Sequence, residues 1–135
     1  MTTLVFVYGT LKRGFPNHGF LARARSLGEA CTVERFPLAI AGPWFIPVLL
    51  RRPGEGRRVR GEVYAVDPMT LEALDGLEGV GRPDGYERAR IELVMEPESE
   101  PVEAEVYFKR EPHGQLHTGW LGEYQDSRYV SRGSR

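Results

Sequence analysis

Leu74-Asp75-Gly76-Leu77-Glu78-Gly79 puts two carboxylates three residues apart at the end of an apolar pattern. Glu78 sits between Leu77 and Gly79-Val80, neighbours that offer a carboxylate little solvation. Burial of that kind raises a carboxyl pKa towards neutrality, where it suits a general acid/base. Asp75 is either a helix-end hydrogen-bonder or a second carboxylate, and the pair could equally be two solvated acids on a surface turn. A second stretch, Val5-Phe6-Val7-Tyr8-Gly9-Thr10-Leu11-Lys12-Arg13-Gly14, runs a hydrophobic strand into a glycine turn. At such a turn successive backbone N–H groups can converge on a carboxylate or oxyanion. Gly9 would allow close backbone approach or a positive φ, and Thr10 adds a hydroxyl. The competing reading is a plain strand-ending turn. No Lys-Ser or Lys-Thr follows, so this is not a phosphate-binding P-loop.

Other reactive side chains point to quieter roles. His113 and His117 have helical ligand spacing, but Pro112 and Gly114 oppose a helix and no third ligand lies nearby, so no metal site is expected. Cys31 has no adjacent His and reads as a small, buried hydrophobe. His18, beside Asn17, reads as a local hydrogen-bonder. The chain has no Gly-x-Ser-x-Gly elbow for serine hydrolase chemistry.

The elements that must position these groups are short. Thr3–Tyr8 predicts a buried strand, 20–25 a helical turn, 29–36 a strand, and 36–50, with Pro37, Pro43 and Pro47, a set of broken edge strands. Gly42-Pro43 and Ile46-Pro47 are candidate cis bonds. Pro53-Gly54-Glu55-Gly56 is a turn. Residues 59–66 form the clearest strand, with Val59, Gly61, Val63 and Ala65 on one face and Arg60, Glu62, Tyr64 and Val66 on the other. Asp67-Pro68 opens a helix of two or three turns, limited by Gly76 and Gly79. Residues 86–95 and 102–109 pair across an acidic loop at 96–101. From Glu111 the chain is loop-like, anchored by Trp120, Tyr124 and Tyr129, and residues 131–135 are expected to be disordered. This predicts one domain over 1–130 of the α+β class, a small mixed or antiparallel β-barrel with a few short helices.

With 135 residues, 41% hydrophobic and 27% charged, the chain suits one soluble domain. A net charge of −1 leaves no footprint for nucleic acid or an anionic membrane. The basic run Arg57-Arg58-Val59-Arg60 reads as a solvated edge. Without an 18-residue apolar run or a leader pattern, and with a single cysteine, the expected setting is the cytoplasm.

Four blocks in order resemble one family, the γ-glutamylaminecyclotransferases. They are residues 5–14 with Pro16-Asn17-His18; Phe36-Pro37-Leu38-Ala39-Ile40-Ala41-Gly42; Ile46-Pro47 with Leu49-Leu50 and Pro53-Gly54; and Gly61-Glu62-Val63-Tyr64-Ala65-Val66-Asp67 leading to Leu74-Asp75 and Glu78. Together they span roughly residues 4–90. The wider γ-glutamylcyclotransferase-like superfamily shares the Tyr-Gly-Ser/Thr-Leu turn and the later Glu. The resemblance implies a small mixed barrel and release of 5-oxoproline from γ-glutamylamines such as γ-glutamyl-ε-lysine, a remnant of transglutaminase crosslinks. It makes Glu78 catalytic and Tyr8, Gly9, Thr10 and Leu11 substrate-binding, in a monomer with no metal or cofactor and a small-molecule substrate. Residues 79–85 have their own spacing, and the match thins after Glu96, where Tyr124, Asp126-Ser127 and Arg128-Tyr129 correspond to a tyrosine-rich family tail. The amine preferred as leaving group therefore stays open. So do cyclotransfer of another γ-glutamyl compound and a non-catalytic module that binds small carboxylates.

Overall fold

A computed structural model describes residues 2–97 and 99–135. The described residues form strands β1 (Thr3–Val7), β2 (Arg25–Thr32), β3 (Leu38–Ala41), β4 (Ile46–Leu49), β5 (Arg60–Val66), β6 (Glu87–Met95) and β7 (Val102–Phe108) and a single α-helix, α1 (Pro68–Glu78). The order β1-β5-β2-β6-β7 closes into a barrel, and β3-β4 forms a separate hairpin. All barrel pairs are antiparallel except β1 with β7, where Val5 sits opposite Glu105 in a parallel closure. Closure leaves the barrel no free edge. The α+β, mixed-barrel expectation is met.

Alternation on β1 and β5 splits the core into two layers. Phe6, Tyr8 and Val63 enter the barrel interior with Leu93, Val106 and Phe108. Val5, Val7, Tyr64 and Val66 point the other way and pack with Leu74 of α1 and Leu21. Both faces of β5 are therefore covered, and neither reads as a solvent face. Asp67 caps α1 by accepting from the Thr70 N–H (2.7 Å), and Pro68 takes the first helical position. Gly76 does not interrupt the helix; it ends at Gly79, which adopts the left-handed conformation (φ 67°) that only glycine holds without strain.

Three sequence expectations shift. β2 starts at Arg25, earlier than expected, because its ladder with β5 begins at Arg25 opposite Ala65 and absorbs an irregularity between Ser26 and Gly28. Its charged outward residues hide that pairing from pattern reading. The single cis peptide among the described residues is Glu96-Pro97, whereas Gly42-Pro43 and Ile46-Pro47 are trans. Trp120 is 37% exposed and does not anchor the tail, whereas Tyr124 is fully buried in the barrel core. The chain closes on a short 3-10 turn at Arg132–Ser134.

Candidate active site

The turn after β1 is braced from several sides. The Lys12 N–H donates to the Gly9 carbonyl (3.0 Å) and the Asn17 N–H to the Thr10 carbonyl (2.9 Å). Glu62 on β5 accepts from the Arg13 N–H (2.9 Å) and from Tyr64 Oη (2.8 Å). Asn17 Nδ2 donates both to Thr10 Oγ1 (2.9 Å) and to Tyr129 Oη (3.2 Å). His18 Nδ1 lies 2.9 Å from the Leu11 carbonyl, the local role expected of it. Among the described residues no protein group accepts from the Gly9, Thr10 or Leu11 N–H groups. Gly9 is needed here for space, not for a positive φ: a Cβ would stand 2.8 Å from Pro47 Cγ on β4.

α1 delivers Glu78 to the same place. A cavity of about 380 Å3 is lined by Tyr8, Gly9, Thr10 and Leu11 on one side and by Glu78 on another. Glu78 retains partial exposure through this cavity, yet its carboxylate is enclosed by protein. That enclosure raises its pKa to about 7 against the opposing pull of the Arg132 and Lys109 charges. Tyr8 Oη donates to the Tyr107 carbonyl (2.7 Å), and Tyr86 Oη to the Pro47 carbonyl (2.6 Å). Burial first, then in each case the charge of Glu78 among other neighbours, drives both phenols well above their ordinary pKa, so both remain neutral donors.

Asp75 resolves as a hydrogen-bonder. It accepts from Tyr107 Oη (2.8 Å) and lies 3.0 Å from Arg88 Nε, a charge contact without hydrogen-bond alignment. It does not line the cavity, but it ties the last turn of α1, next to Glu78, to β7. His117 lies apart from Glu78 in the chain's own scaffolding, with Nε2 2.8 Å from the Gly42 carbonyl and its ring 4.6 Å from that of Phe45. No cluster of three or more His, Cys, Asp or Glu disposed to hold a metal is found among the described residues. Cys31 is only half-buried on β2.

Sequence reasoning missed Tyr86, Lys109, Arg132 and Arg135, which complete the wall. Lys109 Nζ donates to the Asp84 carbonyl (2.8 Å) and lies 4.8 Å from the centre of the Tyr86 ring. None of these sits in a motif; a tail rich in Arg and Tyr was the available signal.

Residues 5–126 match the family model described as gamma-glutamyl cyclotransferase, AIG2-like. Gamma-glutamylaminecyclotransferase from Bos taurus is 45% identical over 126 residues, covering 89% of this chain and 74% of the bovine protein. Gamma-glutamylaminecyclotransferase B from Danio rerio is 43% identical over 138 residues, covering 96% of this chain and 69% of the fish protein. The crystal structure of an AIG2-like protein from Mus musculus superposes with a TM-score of 0.89 at 36% identity, covering 99% of both chains. With family model, relatives and barrel in agreement, this chain belongs to the AIG2-like γ-glutamyl cyclotransferase family and is a cyclotransferase.

Proposed function

We propose that the enzyme acts on γ-glutamylamines, releasing 5-oxoproline and a free amine, with Glu78 moving the protons. One observation carries this: a carboxyl group with a pKa of about 7 shares a cavity with a turn whose Gly9, Thr10 and Leu11 N–H groups have no protein acceptor among the described residues. The names of the bovine and fish relatives support the amine leaving group.

The substrate brings its own nucleophile. Its α-amine attacks the γ-carbonyl, the new C–N bond closes a five-membered lactam, and the bond to the leaving amine breaks. The enzyme must hold the folded conformer; orientation of this kind is worth up to about 7–11 kcal/mol, part of it already built into the substrate. Glu78, as carboxylate, takes one proton from the α-ammonium before attack and passes it to the departing nitrogen. The second proton, shed by the attacking nitrogen as the lactam forms, follows the same route, so the amine leaves as an ammonium and the carboxyl ends as it began. A group with pKa near 7 suits both halves. The Gly9–Leu11 N–H groups bind the glutamyl α-carboxylate or the oxyanion that develops on the γ-carbonyl. The same reading assigns the enzyme to breakdown of transglutaminase crosslink remnants in the cytoplasm, acting as a monomer.

Glu78→Gln tests the assignment. With folding confirmed by circular dichroism, 5-oxoproline release from γ-glutamyl-ε-lysine is expected to fall about 10²–10⁴-fold. Activity close to wild type would remove Glu78 from the chemistry, and a preference for glutathione over γ-glutamyl-ε-lysine would overturn the substrate class.

A further inference from the structure

The tail crosses the mouth of the cavity and is pinned there. Tyr124 is fully buried, and its carbonyl accepts from Lys12 Nζ (2.7 Å). The Val130 N–H donates to the Trp44 carbonyl (3.0 Å), and Tyr129 Oη accepts from Asn17, which also holds Thr10. Of the four Lys and Arg side chains that line the cavity, Lys109 and Arg135 are committed, while Arg82 and Arg132 have no side-chain partner among the described residues; Arg82 belongs to the segment after α1, and Arg132 follows Val130, which is hydrogen-bonded to Trp44. Arg128, outside the lining, is paired with both carboxylate oxygens of Asp126. The Arg135 guanidinium lies over the rings of Trp44 (4.6 Å) and Tyr129 (5.7 Å), and its Nε donates to the Val130 carbonyl (3.0 Å). Lys109 is held by Asp84 and Tyr86. Arg132 lines the same cavity, is exposed at its mouth, and its guanidinium has no hydrogen-bond or ion-pair partner among the described residues.

A γ-glutamyl-ε-lysine molecule carries two carboxylates. The glutamyl one lies close to the reacting amine and belongs deep in the site, beside Glu78 and the β1 turn. The other stands on the leaving lysine, beyond a four-methylene chain. Pro43, Trp44 and Ile46 give the cavity an apolar flank suited to methylenes, with Trp44 40% exposed at the rim. A guanidinium at the end of such a flank matches a carboxylate with a two-pronged fork. We propose that Arg132 binds the carboxylate of the released amino acid and so selects γ-glutamyl-ε-lysine over γ-glutamyl derivatives of simple amines; this rests on the γ-glutamylamine reading above.

The test compares γ-glutamyl-ε-lysine with γ-glutamylcadaverine, which keeps the chain and the distal ammonium and lacks only the distal carboxylate, in wild type and Arg132→Gln. Wild type is expected to prefer the lysine conjugate, and the variant to lose about 10–100-fold of that preference, through KM. A preference unchanged in the variant overturns the proposal. So does an equal loss on both substrates, which would move Arg132 to the glutamyl half. Wild-type turnover of both conjugates without preference overturns it while leaving the cyclotransferase reading intact; turnover of neither overturns both.

Discussion

Glu78 is a carboxyl group held where its charge is disfavoured, and that has a measurable sign. Unfolded chains release this proton near 4.5, the folded protein near 7. Between those values the unfolded state binds fewer protons, so stability falls as pH rises and levels off above about 7. Wild type is expected to lose up to about 3 kcal/mol across that window, and Glu78→Gln to lose correspondingly less. Urea denaturation at pH 4.5 and 8 measures the difference; parallel pH dependence in the two proteins would show an unshifted Glu78. As the proposed base, the same group is expected to set the acid limb of catalysis. Activity as kcat/KM should fall about tenfold per pH unit below 7, as Glu78 becomes protonated before it can accept from the α-ammonium. A flat profile from pH 5 to 7 would exclude it as the base.

The geometry of the proposed site depends on how elements abut. α1 ends at Gly79 and is clasped to β7 by the Tyr107–Asp75 hydrogen bond, which fixes where Glu78 emerges. On the facing side, the β1 turn lies directly against β4, with room at Gly9 for hydrogen alone beside Pro47. Gly9→Ala forces the turn and the β3-β4 hairpin apart. It is expected to destabilise the fold by about 1–3 kcal/mol and to raise KM, because the N–H groups of the turn move with it. Chemical denaturation and steady-state kinetics check both halves; unchanged stability would mean that the hairpin yields freely. Pattern reading found β1, β5 and the start of α1 because an apolar run, a clear alternation and Asp67-Pro68 are local signals. It misplaced β2 because the register there comes from β5, a partner distant in the chain (Arg25 pairs with Ala65 and Cys31 with Arg60).

Across the whole molecule, the tail divides into an anchor and a rim. Tyr124 fills the barrel core, so Tyr124→Ala should cost about 3–5 kcal/mol. Truncation after Val130 removes exposed residues and should shift Tm by no more than about 2–3 °C, while lowering activity through loss of Arg132. Calorimetry on the two variants separates the roles; a large loss of Tm on truncation would make the final turn structural. By itself the sequence determined the barrel class, the glycine turn and the acid that faces it, because these rest on local patterning and on ordered motifs. Only the tertiary structure decided that Asp75 braces while Glu78 faces the cavity, that Gly9 serves a close contact, and that tail arginines reach the site. Those depend on barrel closure and on the path of a loop-like tail, where contacts between residues more than a hundred positions apart, such as Asn17 and Tyr129, leave no periodic trace in the chain.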